Sequence, residues 1–456
     1  MKNCILGICL LYVANGWAEP SQGVRIAYDL SPAQEAFLDT LQYRTFLYFW
    51  REANPQNGLV KDRSTGNSPC SIAATGFGVA AWIVGVERGW ITREQAAGRT
   101  HNLLHFLFTS EQSTDTLATG YQGFYYHFID MQTGKRVWSC ELSTIDTAWL
   151  LAGLRCAAQY FDGDMRTEAA IRALTDSVTF RVNWDWTTAG ATALHPGSVT
   201  MSWRPERQFN RYGWVGLNEA LYLYILAGGS GYKEIATAYA TWLRYYKWQE
   251  PYEGLAHAIF PSLFGHQYSQ VFVDFRGIAD SYMREKNIDY FENSRRATLT
   301  QRFDAIENPN GWTGYDSLTW GLTACDGPGN KYSGERRKFW GYMARGTSGP
   351  DFEGNRDDGT IAPTAAGGSI VFAPEQVIPT LQALKERYGD QGLWGKYGFK
   401  DAFNPTLGWY DDDYLGIDQG PILLMIENLR TGLIWNLCMR DPVIRKGLEL
   451  TGFRQD

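Results

Sequence analysis

Two carboxylates, Glu141 and Asp146, stand in the stretch Trp138-Ser-Cys-Glu-Leu-Ser-Thr-Ile-Asp-Thr-Ala-Trp149. Ser143 and Asp146 have the spacing of an N-cap followed by an acid at the third helical position, and an apolar run to Tyr160 follows. Two further acids sit in similar places. Glu219, in Asn218-Glu219-Ala220, opens an apolar helical pattern, and Asp418, in Ile417-Asp418-Gln419-Gly420-Pro421, comes just before the last long one. An acid in a first turn also serves as an ordinary cap or complements the helix dipole, so none of these motifs specifies function alone. The chemistry they offer together is hydrolysis of a glycosidic bond, which needs one carboxyl to protonate the leaving oxygen and another to activate water. Glu219 suits the acid, because the neighbouring apolar wall of Leu217 and Tyr222 raises a carboxyl pKa. Asp418 suits the base or a water-positioning acid. Asp411, Asp412 and Asp413 are its rivals, although three adjacent acids are not all expected to be buried and most of that run reads as a solvated loop.

The elements that must position these acids are helices. Ser31-Pro32-Ala-Gln34 is a capping box with Pro at the first helical position, opening a helix towards Trp50. Helices follow over 73–87 and 92–108, then 143–160 and 165–182, then 216–227 and 232–248. Further helices are expected near 270–286, 288–307, 312–323, 374–388 and 421–437, with loop or short-strand insertions over 252–268 and 352–372. Segments 148–158 and 219–227 are apolar nearly all round, as inner helices are. Helix pairs without a strict repeat point to an all-α fold, an (α/α)6 toroid of helix hairpins. In a toroid the N-terminal ends of inner helices gather at one mouth, so Asp146, Glu219 and Asp418 would converge there if their helices are inner ones.

Composition narrows the partners. Apolar content of 44% and charged content of 20% belong to a globular chain. The 18 Trp, 26 Tyr and 23 Phe are more than average; such rings fill a large core or stack on the C–H faces of sugars, and most are expected in the core with several lining a groove. A net charge of −7 disfavours nucleic acid and, more mildly, polyanionic substrates. The N-terminus has the form of a signal peptide: Lys2, an apolar core from Cys4 to Val13, then Gly16-Trp17-Ala18 with cleavage expected after Ala18. The domain division expected is thus a signal peptide over 1–18 and one domain over 19–456, exported to the periplasm or beyond, with no membrane span. Five cysteines remain in the mature chain without metal-type spacing, and the six His form no H-x-x-x-H, so no metal is expected. Cys156 and Cys438 lie in apolar helical patterns and read as buried small hydrophobes.

Six segments, in order, carry a family resemblance: Gly123-Phe-Tyr-Tyr-His127, Glu141-Leu-Ser-Thr-Ile-Asp146-Thr-Ala148, Gly216-Leu-Asn-Glu219-Ala220, Gly265-His-Gln-Tyr268, Trp320-Gly-Leu-Thr-Ala-Cys-Asp326-Gly-Pro328 and Gly416-Ile-Asp-Gln-Gly-Pro421. Together they resemble the glycoamylase-like domain of glycoside hydrolase family 144 over residues 35–445. The resemblance implies an (α/α)6 barrel and inverting, endo-acting hydrolysis of β-1,2-glucan. It puts the general acid on Glu219 and makes Asp146 the best match to the family's essential acids, positioning substrate or helping to carry a proton from the attacking water. Glu141 precedes the cap and is free to face the groove. Tyr125, Trp138, Trp214, Trp320 and Trp409 are expected to contribute sugar platforms. His127, His266, Arg204 and Asp326 are expected to bond hydroxyls. Water is the nucleophile, so no cofactor is expected, and the chain should act as a monomer on a β-glucan polysaccharide or oligosaccharide. Three rival readings remain open at this point. They are an exo-acting hydrolase with loops 255–268 and 350–372 closing the groove, a lyase, and a glucan-binding protein that does not cut.

Overall fold

The computed structural model describes residue 26 and residues 28–189, 194–329 and 338–455; the expected signal segment lies outside them. Helix α1 (Pro32–Arg51) begins at the capping box read from the sequence: the Ser31 hydroxyl accepts from the Gln34 N–H, and the Gln34 side chain accepts from the Ser31 N–H. There follow α2 (Ile72–Glu87), α3 (Arg93–Thr109), α4 (Thr144–Tyr160), α5 (Arg166–Phe180), α6 (Trp184–Ala189), α7 (Leu221–Gly229) and α8 (Ile235–Arg244). The second half holds α9 (Phe264–Phe272), α10 (Ser281–Glu285), α11 (Tyr290–Glu307), α12 (Pro363–Gly367), α13 (Pro374–Tyr388), α14 (Gly416–Thr431), α15 (Leu433–Arg440) and α16 (Pro442–Leu450). The protein is mostly helical.

Burial sorts these helices into two kinds. Helices α2, α4, α7, α9, α12 and α14 are buried along nearly their whole length. They alternate in the chain with α1, α3, α5, α8, α11 and α13, each of which keeps a polar, exposed face. Each buried helix meets the next. Helix α2 packs on α4, α4 on α7, and α14 on α2. The Tyr222 N–H of α7 donates to the Ser269 hydroxyl of α9 at 3.0 Å, and the Gln267 amide of α9 donates to the Ala365 carbonyl of α12 at 2.7 Å. The Thr364 hydroxyl of α12 donates to the Asp418 carbonyl of α14 at 2.8 Å.

The α2–α4 crossing depends on two glycines. A Cβ on Gly153 would lie 2.0 Å from the Gly76 carbonyl oxygen, and one on Gly76 would lie 2.1 Å from the Trp149 carbonyl oxygen. The two backbones therefore touch, and this contact sets the depth at which Asp146, one turn into α4, is held.

A five-stranded antiparallel sheet, which the sequence reading did not anticipate, covers the start of α4. Its strands are β1 (Gly120–Tyr121), β2 (Phe124–Tyr126), β3 (Leu142–Ser143), β4 (Ser202–Arg204) and β5 (Gln208–Phe209), paired in chain order. Tyr126 pairs with Leu142, and Leu142 with Trp203. This register brings His127, Glu141 and Arg204 side by side at the sheet edge.

Three helix expectations are corrected. Residues 312–323 form turns, because Gly314 and Gly321 take φ of 86° and 130°, which a helix interior does not allow. The helix expected near 270–286 begins earlier, as α9, and stops at Phe272; Gly277 at φ 67° turns the chain before α10. The last long helix starts at Gly416, with Pro421 inside it, and ends at Gly432 in the left-handed conformation that closes helices. The five cysteines among the described residues are buried free thiols; Cys156 and Cys438 are core residues in contact with each other.

Gly153→Ala should lower stability by about 3 kcal/mol, as overpacking between two rigid backbones does. Gly98→Ala, where nothing lies within 4 Å of the added Cβ, should instead stabilise by roughly 0.4–1 kcal/mol. Urea unfolding of both variants against the parent checks the pair. A neutral Gly153→Ala would contradict the backbone contact.

Candidate active site

The acids singled out in the sequence come from the N-terminal ends of buried helices. Asp146 is the third residue of α4, and its N–H donates to the Ser143 hydroxyl at 3.1 Å. The residue is only 5% exposed. Glu219 lies in the turn leading into α7, half-buried, with its carbonyl held by the Ser269 hydroxyl at 2.9 Å. Asp418 is the third residue of α14 and only 2% exposed.

One bank of the site is built on the sheet edge. The His127 Nδ1 lies 2.9 Å from Glu141 Oε1, and its Nε2 lies 3.6 Å from Asp146 Oδ1. Arg204 Nη2 donates to Glu141 Oε2 at 2.7 Å. Burial alone would make His127 less basic, but the charges of Asp146 and Glu141 overcome it and lift its pKa to about 9. Burial works the other way on Glu141, yet its bonds to His127 and Arg204 hold it down at about 2. Glu141 is therefore a fixed anion between two cations. Burial raises Asp146 against the pull of His127.

The second bank holds several carboxyls and little positive charge. Asp62, Asp326, Asp401, Asp411, Asp413 and Asp418 gather there around Arg63, which reaches Asp326 at 2.8 Å, Asp62 at 3.3 Å and Asp413 at 3.4 Å. The Asp401 and Asp418 carboxyls are in hydrogen-bond contact, and Oδ1 of Asp401 and Oδ2 of Asp418 are buried with no other partner. Burial and the Asp418 charge push Asp401 well up, so the shared proton rests on Asp401. Burial raises Asp418 to about 7, while the Asp401 bond favours its ionised form. Tyr268, on α9, donates to Asp418 Oδ1 at 3.4 Å and lies within electrostatic reach of Glu219.

Glu219 differs from both banks. No side chain of the described residues bonds its carboxyl. Burial raises it to about 7, with the Asp146 charge adding to the effect. At neutral pH it holds a proton much of the time, as a general acid must. A cleft of about 650 Å³ is lined by Asp146, whose charge reaches Glu219, and by His127, Glu141, Arg204, Arg207, Asn210 and Trp214, among others. Its wall of planar amides, guanidinium groups and an indole can bond sugar hydroxyls and pack on a sugar face.

The remaining candidates divide. Trp214 lines the cleft with its indole N–H bonded to the Thr144 hydroxyl at 3.0 Å. Asp326 belongs to the second bank. Trp409 is half-buried against Cys325, Ala362 and Ala402. Trp138 stands outside the cleft, beyond Phe128. Three expectations are corrected: Tyr125, His266 and Trp320 are core residues. The Tyr125 hydroxyl bonds the Leu107 carbonyl, His266 Nε2 meets the Phe260 carbonyl oxygen, and the Trp320 indole donates to Thr380. The Asp411–Asp413 run also differs from the solvated loop expected. Asp412 points outward, whereas Asp411 and Asp413 are buried, the latter accepting from the Thr65 N–H at 2.9 Å.

Asp401, Asp62 and Tyr268 were missed as acid–base neighbours. Asp401 caps no helix; its one marker, a bond from the Asp326 N–H at 2.7 Å, spans 75 residues. Among the described residues one group has the spacing of a cation site, an oxygen each from Asp326, Asp401 and Asp411 within 4.8 Å of one another. The Arg63 guanidinium and the Asp401–Asp418 proton already serve part of that charge.

The His127 imidazole should titrate near pH 9 in an NMR pH series, and Glu141→Gln should move its midpoint down towards the ordinary value near 6.5. A midpoint near 6.5 in the parent protein would contradict the carboxylate cage.

The Glycoamylase family model matches residues 211–442. An exo β-1,2-glucooligosaccharide sophorohydrolase (non-reducing end) of Parabacteroides distasonis is 32% identical over 91% of this chain, which spans 57% of that relative's length. Among solved structures, the endo-β-1,2-glucanase of Chitinophaga pinensis matches with a TM-score of 0.79 at 30% identity, over 93% of this chain and 99% of that one. A β-1,2-glucanase of Parabacteroides distasonis matches with a TM-score of 0.78 at 29% identity, over 93% of this chain and 60% of that one. With its buried helices carrying the acids and with these relatives, the chain belongs to the glycoamylase family, related to the β-1,2-glucan hydrolases of glycoside hydrolase family 144.

Proposed function

We propose that this protein is an exported hydrolase of β-1,2-glucan, working at the mouth of a closed (α/α)6 toroid formed by the six buried helices and their outer partners. The observation that carries the reading is the convergence of carboxyls from the starts of buried helices: Asp146 lies within electrostatic reach of Glu219, and Tyr268 bonds Asp418 while lying within electrostatic reach of Glu219. Burial raises Glu219, which no described side chain bonds, and the Asp401 bond favours the ionised form of Asp418.

In this mechanism Glu219 donates its proton to the glycosidic oxygen as the bond breaks. Water attacks the anomeric carbon from the opposite side, and its proton passes to Asp418, directly or through a sugar hydroxyl. The configuration inverts, and the account expects the two carboxyls to stand about 6.5–9.5 Å apart with the substrate in place. Tyr268 holds the base. Arg204 and His127, fixed by Glu141, present donors to the sugar, and the positive His127 offsets Asp146 beside the acid. No cofactor takes part, because water is the nucleophile.

The open cleft beside Asp146 favours endo action. A second reading, exo action releasing a short product, draws support from the name of the curated relative. Purified protein incubated with linear β-1,2-glucan should yield a ladder of oligosaccharides for endo action or one short product for exo action, and β-1,3- and β-1,4-glucans should remain intact. Glu219→Gln should lower kcat by roughly 10²–10⁴-fold while glucan binding persists. An uncut β-1,2-glucan would overturn the reading and leave a binding protein; a Glu219→Gln variant with full turnover would remove Glu219 from the mechanism.

A further inference from the structure

Of the large hydrophobic side chains described, Trp138 is the most exposed, at 67%. Its backbone is also strained: Trp138 and Ser139 take φ of 57° and 48°, the left-handed region that a bulky residue avoids. Such strain persists only where the surroundings impose it. Here the turn is clamped from below. Arg136 donates to the Cys140 carbonyl at 2.6 Å and to Glu206 at 2.7 Å, and the Cys140 N–H donates to the Val137 carbonyl at 3.1 Å. The fold spends backbone strain to hold an indole in water.

The indole borders a second groove of about 520 Å³, within the size range of small-ligand sites. Gln56, Asn67 and Gln132 also line it, with the mutually paired Glu52 and Lys61 and with Arg51 and Asp130 at its sides, and the Gln56 and Asn67 side-chain amides bond to no described residue. One broad apolar ring among amide donors and acceptors is the chemistry that recognises a neutral sugar: the ring packs on the C–H face and the amides bond the hydroxyls.

The groove adjoins the catalytic banks at two points. The Phe128 ring meets Trp138 at 5.2 Å between centroids and stacks on His127 at 3.8 Å, and His127 reaches Asp146. The groove is also lined by residues 66–69 of the loop whose Arg63 bonds Asp326 and Asp413. His127, on the cleft wall, and Trp138, on the groove wall, thus flank one ring, Phe128.

We propose that this groove is a distal saccharide subsite, binding a glucosyl unit remote from the bond cleaved, with Trp138 as its platform and Gln56, Asn67 and Gln132 as hydroxyl partners. The inference rests on the β-1,2-glucan reading above. Its consequence is a preference for longer chains.

The test measures KM and kcat for β-1,2-gluco-oligosaccharides of graded length with the parent, Trp138→Ala and Trp138→Phe, all checked for an unchanged melting temperature. The expected result is a KM rise in Trp138→Ala that grows with chain length, reaching roughly three- to tenfold on the longest chains, with Trp138→Phe restoring most of it. A KM change equal at every length, or a fall in kcat alone, would overturn the subsite while leaving the hydrolase reading intact. A parent protein that cuts none of these chains would overturn the hydrolase reading itself, and the subsite with it.

Discussion

The organisation of this molecule depends on crowding carboxyl groups where water cannot fully solvate them. Asp62, Asp326 and Asp413 share the Arg63 guanidinium, with Asp401, Asp411 and Asp418 crowded beside them; His127 lies between Glu141 and Asp146, and Arg204 bonds Glu141. Buried like charges do not all ionise, so some of these groups retain protons at neutral pH. The fold meets that constraint by placing Asp146, Glu219 and Asp418 at or beside helix N-termini, whose partial positive charge favours an anion nearby.

The two banks handle the constraint differently, and the difference assigns roles. Glu141 is neutralised by partners and sits at about 2, beyond the reach of any pH at which an acid–base cycle would run. Its part is to aim His127 and Arg204. Glu219 and Asp418 are governed by burial, and both are raised to about 7, where small changes of environment move a proton. Asp401 takes the surplus proton of its pair and so keeps Asp418 available. A catalytic acid and a base can thus be made from the same residue types, separated by whether the neighbouring group is an apolar wall or a second carboxyl.

Helix positions and the three helix-end acids were legible in the sequence because they leave local marks. The Ser31 and Thr92 capping boxes form as read, and the uniformly apolar runs after Asp146 and Glu219 became buried helices. What local pattern did not carry was set by pairing at long range. The sheet that brings Arg204 to Glu141 joins segments about 60 residues apart through strands of two or three residues, too short for alternation to appear. Asp401 sits in a bend between elements and meets the Asp326 N–H and the Asp418 carboxyl only through long-range packing, not through a cap. The aromatic candidates divided for a similar reason: Trp320 and Trp214 look alike in sequence, and only packing sends one into the core and the other to the cleft wall. The Asp411–Asp413 run failed as a solvated loop because the chain bends at Asp412, with the Asp411 carboxylate accepting from the next two N–H groups; Asp412 faces out while its neighbours are buried.

The central claim is that Glu219 works in its protonated form, held so by burial. Its most direct measurement is the pH dependence of kcat/KM on a β-1,2-gluco-oligosaccharide, which reports groups of the free enzyme. Glu219 is active while protonated and Asp418 while ionised, and both are raised to about 7, so kcat/KM should peak near pH 7; the fall on the alkaline side, about tenfold per unit, reports Glu219. A profile that stays flat to pH 9 would show that Glu219 does not supply the proton.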